Sequence, residues 1–297
     1  MRFSLWLDAG RPWSELLAAA RHAEATGWDG VWIADHFMAN SPDPGPMLEA
    51  GSLAGALAAA VDRVRIGTLV YGNTYRHPAV VANMAATVDQ VSGGRFVLGV
   101  GAGWQVNEHE QYGIPLPPVG ERVERFAEAV EVMRRLLDQP STSFAGNHYR
   151  LTGARCDPKP VQQPLPILVG ASGDRMLGIT ARFADEWNCW GLPDRIAERA
   201  AVLDRACEKA GRDPDDIARS AQALVFFTDD AAEADRLAQS LPRPVMAGTP
   251  ERLRDVLAAY AEAGLDEFIV PDFTFGSGAA EIAALDRFSE DVAAAFR

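Results

Sequence analysis

The sequence predicts an α/β fold in which eight strand-then-helix units close into a (β/α)8 barrel, the TIM-barrel architecture. Short β-branched or apolar runs alternate with longer amphipathic stretches rich in Ala, Glu and Arg along the whole chain. The composition shows no break, so we expect a single domain over residues 1–297. The length of 297 residues suits this architecture, which commonly takes about 250 residues.

The alternation places each unit in order. Strands are predicted where the runs are short and apolar, and helices where apolar residues recur with a period near 3.6. The predicted strands are Phe3–Leu7, Gly30–Ala34, Val64–Val70, Arg95–Val100, Pro166–Val169, Glu186–Cys189, Ala221–Phe227 and Leu265–Val270. The predicted helices are Trp13–Thr26, Met47–Ala60, Pro78–Val91, Glu121–Leu137, Asp174–Phe183, Arg195–Ala210, segments after Asp229 and after Pro250, and Ala279–Phe296.

Two stretches interrupt the alternation. Pro140–Gln163 contains the run FAGNHY and predicts a short hairpin inserted after the fourth helix. Leu241–Thr249 is rich in Pro and Gly and predicts a loop after the seventh strand. An open doubly wound sheet is the rival fold, but the residues after the first strand, DAGRP, lack its phosphate-binding glycine fingerprint.

Composition excludes several classes of function. The net charge of −13 argues against nucleic acid as a partner, because the acidic field would repel a phosphate backbone. The longest Ala-rich run, Leu53–Val61, is too short to span a bilayer, and we expect no membrane partner. The start of the chain lacks the features of a signal peptide.

The cysteines and histidines predict neither a disulfide framework nor a metal site. Cys156, Cys189 and Cys207 are odd in number and show no C-x-x-C spacing, which is typical of free thiols in a reducing cytosol. The five histidines show no H-x-H or H-E-x-x-H spacing. We therefore expect a cytoplasmic protein without a metal.

The second and third strands end in residues suited to a reactive site. Asp35 and His36 follow strand two directly, and an imidazole can exchange a proton near neutral pH, although a purely structural histidine is the alternative. After strand three, Gly72 suits a bulge or tight turn that lets the backbone approach a planar ligand. Arg76 either serves this site or pairs with an acidic neighbour, and both remain open.

The fourth and fifth strands end in glycine-rich segments. The run GVGAGW, ending at Trp104, leaves space above the barrel, and the following residues Asn107, Glu108 and His109 are candidates for the pocket wall. The run GASGDR spans Gly170, Ala171, Ser172, Gly173 and Asp174 and ends at Arg175. Small residues opening a helix expose backbone N–H groups that favour a phosphate, with Ser172 and Arg175 as further donors; an ordinary helix-capping turn is the alternative. Trp187 and Trp190 suit the core and the pocket wall.

Taken together, these segments resemble the luciferase-like monooxygenase superfamily over nearly the whole chain. The similarity is carried by GWDGVWIADHF at residues 27–37, RHP at 76–78 leading into AATVD at 85–89, SGGRFVLGVGAGW at 92–104, and ADEWN at 184–188. The GAGW segment, followed by Asn107-Glu108 and by YGI at 112–114, is most similar to the branch that uses coenzyme F420.

The resemblance implies a barrel that holds a deazaflavin or isoalloxazine ring over the strand ends, with His36 near the reactive face. It implies a bulge in strand three with a non-prolyl cis bond, by position Leu69–Val70, that supports the ring. It also implies that Asn107 contacts the ring, that Gly170–Gly173 binds phosphate, and that the protein is a homodimer.

The resulting hypothesis is an F420-dependent oxidoreductase that transfers a hydride between the deazaflavin C5 and a small organic substrate. The alternatives are an FMN-dependent two-component monooxygenase and a non-catalytic flavin-binding relative. Sugar-phosphate dehydrogenases of the F420 branch carry a glutamate where this chain has Trp104, so we do not expect a glucose-6-phosphate-type substrate. Specificity is expected in the loop Met38–Pro46, the hairpin and the loop after strand seven.

Overall fold

The computed structural model describes residues 1–41 and 43–297 and shows a closed barrel of parallel strands surrounded by helices. The strands are β1 (Arg2–Leu7), β2 (Gly30–Ile33), β3 (Arg65–Thr68), β4 (Tyr71–Gly72), β5 (Phe96–Gly101), β6 (Thr142–Ala145), β7 (Arg150–Ala154), β8 (Ile167–Gly170), β9 (Glu186–Trp190), β10 (Ala218–Gln222), β11 (Leu224–Phe227), β12 (Val245–Gly248) and β13 (Glu267–Pro271). The helices are α1 (Trp13–Ala25), α2 (Ala50–Ala60), α3 (Pro78–Ser92), α4 (Val106–Tyr112), α5 (Val119–Asp138), α6 (Asp174–Phe183), α7 (Pro193–Ala210), α8 (Ala231–Ser240), α9 (Pro250–Glu262) and α10 (Ala279–Arg287).

The barrel closes through parallel pairs only, which confirms the predicted fold. Its strand order is β3-β2-β1-β13-β10-β9-β8-β5, and β5 pairs back with β3. All residues of β5, Phe96–Gly101, are buried, as expected for a parallel strand with side chains inside the barrel and under the helices. Because every strand runs the same way, the carboxyl ends of all eight barrel positions meet on one face.

The third barrel position is interrupted by a bulge. β3 and β4 both pair with β5, yet Gly67 lies opposite Val97 and Tyr71 opposite Val100. The third strand therefore contains one extra residue in this interval, which defines a β-bulge. The peptide bond between Leu69 and Val70, within the bulge, is cis, at the expected position.

Trp32 fills the barrel interior just below this bulge. Its indole N–H donates to Glu267 Oε1 at 3.0 Å, and its ring packs where Gly67 has no side chain. A Cβ added at Gly67 would lie 2.1 Å from Trp32 Cζ3. The other members of this buried cluster are Trp6, Leu69, Val97, Leu168 and Ile269. The barrel is therefore packed, and a ligand site lies above the cluster.

The seventh barrel strand differs from the prediction. Instead of Ala221–Phe227, β10 occupies the barrel position and the chain then turns outward into β11. β10 contains Ser220 and Gln222, which are buried but accept hydrogen bonds from Asn188 Nδ2 at 3.0 and 2.7 Å. Because polar side chains satisfy one another there, this strand lacks the apolar signature on which the prediction relied.

Outside the barrel, two small sheets stand near the predicted interruptions. β11 pairs with β12 in a parallel two-stranded sheet, so Leu241–Thr249, predicted as a loop, contains a strand. After α5, the strands β6 and β7 pair antiparallel within the segment predicted as a hairpin. Helix α4 was not predicted and follows the GAGW segment.

Among the described residues, no helix combines the length and the apolar character needed to cross a bilayer. Over the same residues, no group of three His, Cys, Asp or Glu side chains is arranged to hold a metal ion.

We expect Gly67→Ala to lower the free energy of unfolding by about 1–3 kcal/mol, because the new methyl group collides with the Trp32 ring. Gly55→Ala in α2 is the matched control: its Cβ meets nothing within 4 Å, and alanine should stabilise the helix by about 0.5–1 kcal/mol. Urea unfolding measures both. Equal midpoints for Gly67→Ala and the wild-type protein would contradict the packing described for Trp32.

Candidate active site

A cavity of about 600 Å³ opens at the carboxyl ends of the barrel strands. Its volume lies in the range of small-molecule sites, about 300–1,000 Å³. Most of the predicted site residues line it: Asp35, His36, Leu69, Val70, Gly72, Trp104, Gly170, Ala171, Ser172, Gly173 and Trp190. Asn107 and Arg175 are not part of its wall. Pro42, within the predicted specificity loop Met38–Pro46, lies outside the described residues.

The floor of the cavity depends on glycine. Val70, which follows the cis bond, lies against Gly101 and Gly170, and a Cβ at these glycines would approach its methyl groups to 2.8 and 3.1 Å. The valine side chain is thus held between the ends of β5 and β8. Gly72 has a similar role on the adjacent wall, because a Cβ there would lie 2.6 Å from the ring of Tyr75.

Glu108 is the main polar partner of His36. Its carboxylate is fully buried and accepts hydrogen bonds from His36 Nδ1 at 2.7 Å, from the backbone N–H of Phe37 at 2.7 Å, and from the Tyr75 hydroxyl. Burial raises the pKa of Glu108, but the hydrogen bonds from His36, Tyr75 and Phe37 outweigh it and hold the pKa below its ordinary value. Glu108 is therefore ionised at neutral pH, and its carboxylate can only accept hydrogen bonds.

This pairing determines which nitrogen of the His36 imidazole carries a proton. Because an ionised carboxylate only accepts hydrogen bonds, His36 Nδ1 carries a proton. Nε2 of His36 makes no hydrogen bond with a described residue, and the ring lies in the cavity wall. The rings of His36 and Trp104 lie edge to face, with their centroids 5.7 Å apart. The free nitrogen is thus available to a molecule in the cavity.

Asp35 connects the end of strand two to Gly72 and Arg76, which follow β3. Its buried carboxylate accepts two hydrogen bonds from Arg76, at 2.7 and 2.9 Å, and one from the backbone N–H of Gly72 at 2.9 Å. Burial raises the pKa of Asp35, although the hydrogen bonds and charge of Arg76 oppose this effect. Of the two possibilities open for Arg76, the geometry shows the acidic pairing, to Asp35 and also to Glu49.

Glu49 connects this network to helix α2. Its carboxylate accepts from the backbone N–H groups of Gly51 and Ser52 at 2.8 and 2.7 Å and therefore caps the helix N-terminus. Burial raises the pKa of Glu49, but the hydrogen bonds from Ser52, Gly51 and Arg76 outweigh it and lower the pKa to about 2.

The glycine-rich segment after β8 leads directly into helix α6. The N–H of Ala171 donates to Asn188 O at 3.0 Å, and Gly173 precedes the helix without a side-chain cap. A Cβ at Gly173 would meet nothing within 4 Å, so the backbone there is open to the cavity. The first N–H groups of a helix need acceptors from outside it, and a phosphate can supply them.

Arg122 lines the cavity together with this segment, whereas the predicted Arg175 is not part of the cavity wall. Arg175 is 63% exposed and lies 3.4 Å from Glu124, away from the cavity. Arg122, on the first turn of α5, lines the cavity, donates to Gly103 O, and forms no ion pair with a described residue. Its Nε is buried without an acceptor. Sequence reasoning missed it because nothing local distinguishes it from other helix arginines.

Asn107 and His109 support the wall from behind. Asn107 Nδ2 donates to Ala39 O at 3.1 Å, which holds the loop after β2 in place. His109 is buried between Gln105 O and Thr74 Oγ1, at 2.5 and 2.8 Å. Neither side chain is among those that line the cavity.

The mouth of the cavity is aromatic and carries one more arginine. The guanidinium carbon of Arg243 lies 4.9 Å from the ring centroid of Trp190 and 5.8 Å from that of Trp104. Trp6 adjoins Trp190 at 5.5 Å. Arg243 lies in the segment between α8 and β12, within the predicted specificity loop, but its contact with the site follows only from the fold.

Comparison with known proteins gives a consistent result. The family described as luciferase-like monooxygenase matches residues 1–263. An F420-dependent glucose-6-phosphate dehydrogenase of Amycolatopsis mediterranei is 28% identical over 94% of this chain and 93% of its own length. The protein of the same name from Beutenbergia cavernae is 30% identical over 94% and 92%. The solved structure of an F420-dependent secondary alcohol dehydrogenase with an F420-acetone adduct superimposes with a TM-score of 0.87, at 23% identity over 100% of this chain and 99% of the other. This structural likeness establishes the fold.

We expect Glu49→Gln to lower the free energy of unfolding by about 1 kcal/mol at pH 7, because a charge at the helix N-terminus is lost. The Glu49 pKa is depressed, to about 2 from 4.5, so its stabilisation is complete above pH 4.5 and disappears as the pH falls through 2. The difference from the wild-type protein should therefore narrow below pH 4.5, as measured by urea unfolding. Glu262→Gln, at the exposed C-terminal end of α9, is the control, because its carboxylate caps no helix and pairs with no described residue, so the free energy of unfolding should stay nearly unchanged. A Glu49→Gln difference that stays constant from pH 7 to 3 would contradict the assigned network.

Proposed function

The chain belongs to the luciferase-like monooxygenase family, and we propose that it is an oxidoreductase using coenzyme F420 and a small organic substrate. The observation that carries the proposal is the cavity itself, in which His36, the Val70 floor and the Gly170–Gly173 segment share one face. The names of the relatives, which cover 94% of this chain at 28–30% identity, support the same cofactor.

The residues present fit a planar ring joined to a phosphate. Val70, held between Gly101 and Gly170, offers an apolar floor for the ring. The open backbone at Gly173 and the unpaired Arg122 offer donors for a phosphate on the adjoining wall. When bound, the deazaflavin supplies C5 as the atom that gives or takes a hydride.

His36 would handle the proton that accompanies the hydride. The His36 ring lines the cavity with its Nε2 free of any hydrogen bond to a described residue, while its Nδ1 donates to Glu108. An imidazolium formed at His36 is stabilised by the ionised Glu108, and the neutral imidazole keeps its proton on Nδ1. Either state presents Nε2 to a substrate oxygen, as a donor or as an acceptor.

The cavity mouth favours a substrate other than a sugar phosphate. Trp104 places an indole against His36 where the sugar-phosphate dehydrogenases of the F420 branch carry a glutamate. Trp6 and Trp190 extend this aromatic wall. An aromatic wall recognises planar or apolar groups better than it recognises several hydroxyls. Glucose 6-phosphate is therefore not the substrate that we propose.

We propose further that the protein works in a reducing compartment, the cytosol, as a homodimer. Cys156, Cys189 and Cys207 are all unpaired and buried, as is usual where thiols stay reduced. The dimer is proposed from the family resemblance.

We expect F420 to bind at least about tenfold more tightly than FMN, because the proposal assigns the ring site to the deazaflavin. Quenching of tryptophan fluorescence during titration measures both, since three tryptophans line the cavity: Trp6, Trp104 and Trp190. Tighter binding of FMN would favour the two-component monooxygenase instead. Binding of F420 without turnover of any substrate in a broad screen would favour a non-catalytic relative.

With the substrate found by that screen, His36→Gln should lower kcat by about 10²–10⁴-fold through loss of the proton donor. Glu108→Gln should lower kcat by about tenfold or more, because His36 loses its charged partner. Tyr75→Phe is the control, since Glu108 keeps its charge and its bond to His36. The Kd for F420 should stay nearly constant in all three. Wild-type kcat in His36→Gln would exclude His36 from the reaction.

Arg122→Gln should raise the Kd for F420 by about tenfold, because a charge-assisted hydrogen bond to phosphate is lost. Arg175→Gln removes the same charge from the exposed face of α6 and should change the Kd by less than about twofold. The two variants thus compare the arginine that the sequence indicates with the one that lines the cavity. A larger effect of Arg175→Gln would reverse the assignment.

A further inference from the structure

Arg243 is a cation without a counter-charge at the mouth of the cavity. It lines the cavity, yet it forms no hydrogen bond or ion pair with any residue among 1–41 and 43–297. Arg243 is exposed at the mouth of the cavity, whereas the less exposed Arg11, Arg65 and Arg76 pair with carboxylates. Partial desolvation of the guanidinium lowers the pKa of Arg243, and no acidic group offsets this effect.

The two tryptophans determine which part of Arg243 is available. Its guanidinium lies over the rings of Trp190 and Trp104, at 4.9 and 5.8 Å from their centroids. A cation–π contact uses none of the N–H groups as hydrogen-bond donors, and none of them donates to a described residue, so the donor edge of the guanidinium remains available to a ligand. A carboxylate matches that edge with two parallel hydrogen bonds.

Arg243 is also placed on the substrate side of the site. Trp104 contacts both Arg243 and the ring of His36, so a molecule beside His36 reaches the guanidinium along one indole. A second arginine of the cavity that forms no ion pair with a described residue, Arg122, donates to Gly103 O. The two arginines are therefore available to different anions.

We propose that Arg243 is a specificity-determining residue that binds a carboxylate of the substrate, so that the enzyme acts on planar or aromatic carboxylic acids. This inference rests on the proposed function, since it names the substrate class of the same site. The planar body of the substrate then packs against the aromatic wall, and its carboxylate accepts hydrogen bonds from the guanidinium of Arg243.

The test compares an acid with its neutral amide. Calorimetric titrations of trans-cinnamate and cinnamamide are run on the wild-type protein and on Arg243→Gln, each with and without F420. We expect the wild-type protein to prefer the acid by about tenfold and Arg243→Gln to lose that preference, with the amide affinity unchanged. Arg236→Gln, on the exposed surface of α8, removes the same charge and should behave as the wild-type protein. Arg243→Lys should retain part of the preference, because it keeps the charge but not the paired donors.

Three results would overturn the proposal: no preference for the acid in the wild-type protein, an unchanged preference in Arg243→Gln, or an equal loss of acid and amide, which would indicate a structural role. The F420 titration separates the other possible anion. If Arg243→Gln weakens F420 binding about tenfold and leaves the acid preference intact, Arg243 serves the cofactor. If neither the wild-type protein nor Arg243→Gln binds F420 but the acid preference still depends on Arg243, the proposed cofactor is wrong and the carboxylate site is supported.

Discussion

The buried pair of Asp35 and Arg76 is the interaction on which the rest of the site depends. Asp35 follows strand two, immediately before His36, and its carboxylate also accepts a hydrogen bond from the N–H of Gly72 in the bulged third strand. Gly72 leaves room for the ring of Tyr75, whose hydroxyl donates to Glu108. Glu108 in turn holds His36. This series of contacts begins at Asp35 and ends at His36, the next residue in the chain. The position of His36 is therefore determined both by the backbone from Asp35 and by the hydrogen bond to Glu108. Removing one member of a buried ion pair is costly, which gives this ring of contacts its rigidity.

The charge of the cavity differs in sign from that of the protein. The chain carries a net charge of −13, yet among the described residues the charged groups of the cavity wall without an ion-pair partner are the arginines Arg122 and Arg243. The carboxylates of the same region, Asp35 and Glu108, pair with Arg76 and His36 respectively. A local field of this kind attracts small anions, while the acidic exterior repels large polyanions. A phosphorylated cofactor and an acidic substrate are compatible with both features.

Polar side chains inside the barrel explain why the predicted seventh strand differs from the one in the structure. Ser220, Gln222 and Asn188 bond to one another inside the barrel, so β10 reads as polar although it is buried. The apolar run that follows, β11, belongs to a small outer sheet. The arginines differ for another reason: Arg175 follows the Gly170–Gly173 segment in sequence but is exposed and outside the cavity wall, whereas Arg122 reaches the cavity from a different helix, α5.

The resemblance to the family gave the cis bond at Leu69–Val70, and the sequence by itself determined the barrel and the strand ends that carry His36, Gly72 and Gly170–Gly173. These are local features: periodicity, glycine in turns and the order of motifs are all written along the chain. Only the tertiary structure decided that Glu108 is the partner of His36, that Asp35 binds Arg76, and which arginines face the cavity. Pairings between residues far apart in sequence depend on the direction of each side chain after packing, and an isolated Arg or Glu in a sequence carries no sign of that direction.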